Sequence, residues 1–188
     1  MARGRLVVIS APSGAGKTTI AHAILRAHPT LRFSVSATTR PIRDGEKDGR
    51  DYFFLRIDEF RRWIDAGEFV EWEEIYGNYY GTLRQEVDRA LEQGEHILFD
   101  VDAKGGLSIR KRYPESLLIF IRPPNLEALN GRLRNRKTES EASVSQRLAR
   151  VPLEMELGKA FDYQVVNDDL QRAIKQVNTI VTKFLQIN

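Results

Sequence analysis

The chain has no cysteine, which removes disulfides and thiolate metal sites and leaves the redox compartment open. Histidine is scarce. His22, His28 and His96 are far apart and sit in no motif, so they read as structural or surface residues. No metal-ligand cluster and no Ser–His–Asp pattern can be assembled from them. No apolar run approaches the length that spans a bilayer. Met1-Ala2-Arg3-Gly4-Arg5 leads straight into an apolar segment without a leader-like pattern, so a cytoplasmic protein is expected. Nor does one sign of charge dominate. The 29 Lys and Arg against 26 Asp and Glu leave +3, a mildly basic surface that suits anionic ligands without indicating nucleic acid. A length of 188 residues fits one compact domain, or a core with insertions.

What is present starts with Ser10-Ala11-Pro12-Ser13-Gly14-Ala15-Gly16-Lys17-Thr18-Thr19. The β-branched run Leu6-Val7-Val8-Ile9 precedes it and a helix-compatible segment, Ile20 to Ala27, follows. Strand, Gly-rich loop and helix form the context of a phosphate-binding loop. Bare backbone at Gly14 and Gly16 can curl around phosphate oxygens, with N–H groups backed by the positive end of the helix. Ser13, Gly14, Ala15, Gly16, Lys17, Thr18 and Thr19 are the expected set for a nucleoside triphosphate. Lys17 reaches the β- and γ-phosphates, and the Thr18 hydroxyl holds Mg²⁺. The strict pattern has Gly where Ala11 stands; a small side chain still allows many loop conformations. A Gly-rich strand–helix turn with an incidental Lys-Thr is the alternative.

The rest alternates strand and helix. Strands are expected at Phe33 to Ala37, Tyr52 to Leu55, Phe69 to Glu73, His96 to Val101, Leu117 to Ile121 and Asp162 to Val166. Helices are expected from Ile57, with Asp58 as cap, and over Leu83 to Glu92, Gly105 to Arg112, Leu126 to Arg134, Ser143 to Leu157 and Leu170 to Leu185. Pro152 is a candidate interruption. In the last helix Ile174, Val177, Ile180, Val181 and Phe184 recur at helical spacing, a core-facing stripe. The fold class is α/β: a parallel sheet flanked by helices on both faces, around a phosphate loop. Two stretches break the repeat, Phe33 to Thr82 and Arg132 to Arg150. In a phosphoryl-transfer enzyme they are the places for an acceptor-binding insertion and a helical lid, because water has to be kept from the γ-phosphate.

Side-chain chemistry fits an acceptor that carries phosphate. Arg40 and Arg43 flank Pro41 in a polar loop, and two guanidiniums with a tyrosine hydroxyl would grip a monophosphate. A solvated basic loop is the alternative. Glu71 lies between Val70 and Trp72, and a carboxylate accepts two hydrogen bonds from the N1–H and amino edge of guanine while repelling N1 of adenine. Thr82 and Ser36 are its smaller partners; a strand-surface acid would look the same in sequence. Asp100 and Asp102 lie two apart at the end of an apolar strand, with Asp100 assigned to the Mg²⁺ water shell and Asp102 to the acceptor. Strand-end turn acids are the alternative. Arg132, Arg136 and Arg147 are placed to approach the transferring phosphoryl group from the side opposite Lys17, while Arg134 and Arg150 read as surface residues.

Several longer stretches resemble the guanylate kinase family. They are Phe33 to Pro41 followed by Gly45-Glu46, Gly49-Arg50-Asp51-Tyr52, Glu71-Trp72, and Gly77-Asn78-Tyr79-Tyr80-Gly81-Thr82. Asp100-Val101-Asp102, Arg132-Leu133 with Arg136, Arg147-Leu148 and Val166-Asn167-Asp168-Asp169 complete the set, which covers nearly the whole chain in order. The resemblance implies reversible transfer from ATP to GMP, giving ADP and GDP, with Mg²⁺ and with dGMP as a second acceptor. It also implies a core of residues 1–32, 84–130 and 156–188, a GMP-binding part of residues 33–83 and a lid of residues 131–155, with no nucleic acid, membrane or protein partner required. Arg40, Arg43, Tyr52 and Tyr80 match the GMP-phosphate residues, and Ser36, Glu71, Thr82 and Asp102 the guanine side. Lys17, Arg132, Arg136 and Arg147 match the catalytic clamp, and Asn167 a residue near the donor adenine. Lys104 and Lys137 depart from the family's usual glutamine and glycine, which bears on closure and rate. A non-catalytic guanylate-kinase-like module and a sugar-phosphate kinase are the rival classes. Intact Lys17-Thr18 with the arginine set opposes the first, and the Glu71, Thr82 and Tyr80 set opposes the second.

Overall fold

The computed structural model describes residues 3–75, 77–134 and 141–186. In chain order they form β1 (Leu6–Ser10), α1 (Lys17–Ala27), β2 (Leu31–Phe33), β3 (Ala37–Thr38), β4 (Phe53–Phe54), α2 (Ile57–Asp65), β5 (Phe69–Ile75) and β6 (Asn78–Leu83). Then follow α3 (Arg84–Glu92), β7 (His96–Asp100), α4 (Ala103–Arg112), β8 (Leu117–Arg122), α5 (Leu126–Arg134), α6 (Glu141–Leu157), β9 (Tyr163–Val166) and α7 (Leu170–Gln186).

Five strands make a parallel sheet in the order β2-β7-β1-β8-β9. All five residues of β1 are buried, as an apolar run at the centre of a parallel sheet should be. Its side chains alternate between the two faces. Val7 and Ile9 pack with Ile20 and Ile24 of α1 and Val177 and Val181 of α7. Leu6 and Val8 pack with Val87 and Leu91 of α3 and Ile109 of α4. Each fully buried aliphatic side chain contributes about 1.5–3 kcal/mol before the entropy of ordering is set against it. The stripe expected on α7 is present: Val177 and Val181 are buried, and Ile174, Ile180 and Phe184 are partly buried against the same core.

Strand order reverses at β1, with β7 on one side and β8 on the other. Such a switch point opens a crevice at the C-terminal ends of the strands, and the phosphate loop leaves β1 there. The register pairs Ile9 with Asp100, so the acid at the end of β7 lies level with the start of that loop.

A second, mixed sheet runs β4-β3-β6-β5. β3 pairs in parallel with β4 and antiparallel with β6, and β5 and β6 are antiparallel neighbours. Its small core is aromatic: buried Phe60 of α2 stacks on Phe69 at 4.2 Å and on Tyr79 at 5.4 Å.

The continuous strand expected at Phe33 to Ala37 is two strands joined by a crossing. The Ser34 N–H still donates to the Leu98 carbonyl of the parallel sheet at 2.9 Å. Two residues on, the Ser36 carbonyl accepts from Phe53 N–H of the second sheet at 2.9 Å. Backbone pairing therefore passes from one sheet to the other within three residues, which strand periodicity does not reveal. Asp58 is not a cap: Arg56 precedes α2, and Asp58 sits in the first turn, 3.0 Å from Arg56 Nε, where its charge favours the helix dipole. α4 starts at Ala103, earlier than expected, because Asp102 caps it through Gly105 N–H. α6 runs through Pro152, which the helix accommodates at an exposed position.

Candidate active site

The loop between β1 and α1 takes left-handed backbone at Gly14 (φ +87°) and Gly16 (φ +95°). Gly16 has a second reason to be bare: a Cβ there would lie 2.4 Å from Asn167 Nδ2. That Asn167 amide is buried and donates to the Ala15 carbonyl at 2.8 Å, holding the loop from beneath. The Asn167 backbone carbonyl in turn accepts from Arg132 Nη2 at 3.0 Å. Gly16→Ala is expected to lower stability by about 1–3 kcal/mol, seen as a reduced melting temperature, and to raise the KM for ATP as Asn167 is pushed off the loop.

Ala11 stands where the strict loop pattern has glycine. Its methyl group is buried in the same core as Val7, Ile9 and Ala15, so the substitution is absorbed by packing.

Lys17, the first residue of α1, places Nζ 3.0 Å from the Val101 carbonyl and 2.5 Å from Asp100 Oδ1. Thr18 Oγ1 donates to Asp100 Oδ2 at 3.0 Å. Lys17, Thr18 and Asp100 thus meet at the mouth of the loop, as β7 ending in an acid suggests. Arg147 reaches the loop from α6, and its Nη1 donates to Ser13 Oγ at 2.8 Å. Thr19 is exposed on the first turn of α1. Arg136 and Lys137 lie outside the described residues, and Lys104 is exposed on α4.

Across the cleft, Glu71 on β5 faces Thr82 on β6 as a cross-strand pair. Thr82 Oγ1 donates to Glu71 Oε1 at 2.6 Å. Burial pushes the Glu71 carboxyl up to about 7; Thr82 pulls the other way, and Asp102 and Glu73 add to the rise. Asp102 Oδ1 accepts from Gly105 N–H at 2.7 Å. A Cβ on Gly105 would stand 3.1 Å from Asp102 Oδ1 and 3.2 Å from Glu71 Oε2, so the bare backbone there lets both carboxylates converge at the start of α4. Ser36 is half-buried on the crossing between the sheets, with its carbonyl engaged by Phe53.

A third cluster surrounds Arg40. The guanidinium forks onto Glu46, with Nη1–Oε2 at 2.7 Å and Nη2–Oε1 at 2.5 Å. It lies 4.9 Å over the ring of Tyr52, which meets Tyr80 edge-on at 6.3 Å. Hydrogen bonds from Arg40, and then from the Arg43 backbone, hold the Glu46 carboxyl down to about 2. Arg43 joins through its N–H, 2.8 Å from Glu46 Oε2, while its side chain is exposed. Glu46 is the residue that orients Arg40, and the reading of the polar loop by its arginines overlooked it. Its only signal was its place in the Gly45-Glu46 motif.

Beside the phosphate loop lies a cleft of about 370 Å³, lined by that loop, Glu73 and Ile75 of β5, Asp102, Arg147, Arg150 and Glu154. Arg150 is exposed, as expected, yet it reaches the cleft: its Nη2 lies 2.5 Å from Glu73 Oε1 and 3.1 Å from Asp102 Oδ2. A larger cavity of about 780 Å³, between Gly4, Tyr113 and Phe184 at the opposite end of the sheet, contains none of these groups.

Oxygen donors at Thr18 and Asp100 suit a hard divalent cation held chiefly by bound phosphates. Among the described residues no group of three or more His, Cys, Asp or Glu is placed to hold a metal ion by itself.

A phosphate loop at the switch point of a parallel sheet, facing a second sheet across a cleft lined with basic and acidic groups, defines a phosphotransferase of the nucleoside-monophosphate kinase class. The guanylate kinase family profile matches residues 3–184. The chain is 46% identical over 179 residues to a guanylate kinase of Symbiobacterium thermophilum, covering 95% of this chain and 85% of that one. It is 48% identical over 182 residues to one of Salinibacter ruber, covering 96% of each. A crystal structure of guanylate kinase from Anaplasma phagocytophilum superposes with a TM-score of 0.75 at 30% identity, covering 100% of this chain and 89% of that one. A sugar kinase from Janibacter, at 18% identity and a TM-score of 0.52 over 94% and 93% of the chains, shares the fold alone. The chain belongs to the guanylate kinase family. Membership carries with it the use of ATP and Mg²⁺. Among the described residues no helix is long and apolar enough to cross a membrane.

Proposed function

We propose that this chain transfers the γ-phosphoryl group of ATP to GMP, and to dGMP, giving ADP and GDP in the cytoplasm for the synthesis and recycling of guanine nucleotides. The observation that carries this reading is the meeting of Glu71, Thr82 and Asp102 opposite the phosphate loop. Residues 1–32, 84–130 and 156–188 act as the core, residues 33–83 hold the acceptor, and residues 131–155 close over the donor. The loop N–H groups from Ser13 to Thr19 and the start of α1 cradle the donor phosphates. Asn167 keeps that cradle in shape from below and stands on the donor side.

The Glu71 carboxylate, with Thr82 and Ser36, receives the N1–H and amino edge of guanine, and Asp102 stands beside it on the guanine side. Arg40, fixed by Glu46, holds the acceptor phosphate together with Arg43, Tyr52 and Tyr80. The acceptor oxygen is already anionic, so no side chain needs to remove a proton. It forms the new bond to γ-phosphorus as the bond from γ-phosphorus to the β-bridging oxygen breaks, and ADP leaves. Lys17 meets the growing charge from the loop, and Arg132, Arg136 and Arg147 meet it from the other side. Thr18 and, through water, Asp100 would hold Mg²⁺, which would neutralise charge on the phosphate oxygens.

A coupled assay of ADP release with GMP, AMP, UMP and a ribose bisphosphate, with the products identified, tests the reading. Equimolar ADP and GDP from GMP are expected; turnover of another acceptor at an equal or higher rate contradicts it.

A further inference from the structure

Helix α6 brings into the cleft a cation that the transfer chemistry does not use. Arg150 follows Arg147 by three residues, on the same side of the helix. Its Nη2 donates to Glu73 Oε1 at 2.5 Å and to Asp102 Oδ2 at 3.1 Å, and its Nε stands 3.8 Å from Glu154 Oε1. The three acids come from three elements: Glu73 from β5, Asp102 from the cap of α4 and Glu154 from α6 itself.

Those carboxylates crowd one another. Burial and then Asp102 raise the Glu73 carboxyl, while burial raises Glu154 to about 7 against the pull of Arg150, with Asp102 and Glu73 adding to the rise. Glu71 feels Asp102 and Glu73 from the same side, with Lys17 the opposing cation. An exposed ion pair contributes little to stability, and the Arg150 side chain is about half exposed. Its geometry matters more. Asp102 is held from two directions, Oδ1 by Gly105 N–H at 2.7 Å and Oδ2 by Arg150 at 3.1 Å. The second hold exists only while α6 is seated, and the same helix delivers Arg147 to Ser13 of the phosphate loop at 2.8 Å.

We propose that Arg150 is a positioning residue of the acceptor site: by binding Asp102 and Glu73 at once, it couples the seating of α6 over the phosphate loop to the orientation of the carboxylate beside the guanine-reading pair. The inference rests on the assignment of Glu71 and Asp102 to base recognition. In this proposal Arg150 acts through Asp102 and Glu73 and not on a nucleotide.

The test is steady-state kinetics of the full chain with Arg150→Ala, Arg150→Lys and Glu73→Gln, together with GMP titration and thermal melts. Arg150→Ala is expected to raise the KM for GMP about tenfold and to leave the KM for ATP within about twofold. The pH below which the KM for GMP climbs should move upward, because Arg150 no longer offsets Asp102, Glu73 and Glu154, which leaves the Thr82 hydrogen bond and Lys17 to hold the Glu71 carboxyl down. Arg150→Lys should recover part of the loss, and Glu73→Gln should cost less than Arg150→Ala. The double variant should cost less than the two losses combined, the mark of a shared interaction.

Equal rises in both KM values, or a lower melting temperature with an unmoved pH profile, would overturn the proposal in favour of a merely structural arginine. If Arg150→Ala does not fold, Arg150→Lys and Glu73→Gln carry the same comparison, and wild-type behaviour in both overturns it. A wild-type protein with no preference for GMP over AMP would remove the base assignment and this proposal together. A GMP-selective wild type with an unaffected Arg150→Ala would remove this proposal alone.

Discussion

Lys17→Ala is expected to lower kcat by about 10²–10³ while the protein stays folded. Lys17 Nζ lies 2.5 Å from Asp100 and 3.0 Å from the Val101 carbonyl, where the ends of β1 and β7 open towards the donor phosphates. Its removal withdraws a positive charge from that mouth and leaves Asp100 facing the phosphates with the Thr18 hydroxyl beside it. Charge on the transferring group is greatest in the transition state, so kcat should fall further than the KM for ATP rises. Alanine is the strongest helix former, and position 17 begins α1, so the melting temperature should stay close to that of the wild type. Steady-state kinetics with a parallel thermal melt checks both halves. A kcat near wild type would remove Lys17 from the chemistry.

Glu71→Gln is expected to stabilise the unliganded protein and to disable it. Burial holds the Glu71 carboxyl at about 7 against an ordinary 4.5. The unfolded chain loses this proton near the ordinary value, so between there and about 7 the folded state alone keeps it. Stability therefore falls as pH rises across that window, and above it the folded protein carries a buried charge. Glutamine keeps an acceptor for Thr82 and carries no charge. At pH 8 the variant should be more stable by about 1–3 kcal/mol, and the gain should vanish towards pH 4. Its activity should move the other way. Guanine presents two donors on this edge, and the amide of glutamine opposes one of them with a donor of its own, so kcat/KM for GMP should fall by about 10²–10⁴. In the wild type the KM for GMP should rise as pH drops below about 7, where Glu71 takes up its proton. A Glu71→Gln protein that melts below the wild type at pH 8 would contradict the buried-charge account. One that still uses GMP well would contradict the role of Glu71 in reading the base.

Much of this was legible in the sequence, and the gaps have physical causes. The phosphate loop is a local motif flanked by the elements that shape it, so spacing alone placed Lys17, Thr18 and the two glycines. Asp100 followed from an apolar strand ending in an acid, and the register at Ile9 put it where that pattern implied. Residues whose roles arise from elements distant in sequence were harder. Helix phase told nothing of which carboxylates would stand against α6, so Arg150 read as surface although it joins Glu73 and Asp102. Glu46 was hidden because a turn, not a regular element, folds it back onto Arg40. Asn167 was assigned by resemblance to the donor adenine; its buried amide holds the loop backbone, a role visible only once β9 lies beside β8 and its end beneath Gly16.

Glu71 and its neighbours make one direct demand on experiment: the ratio of kcat/KM for GMP to that for AMP in the wild-type protein. A buried carboxylate that accepts from the guanine edge and repels the adenine edge predicts a ratio above about 10³. A ratio near one would contradict the assignment of this cleft to guanylate transfer.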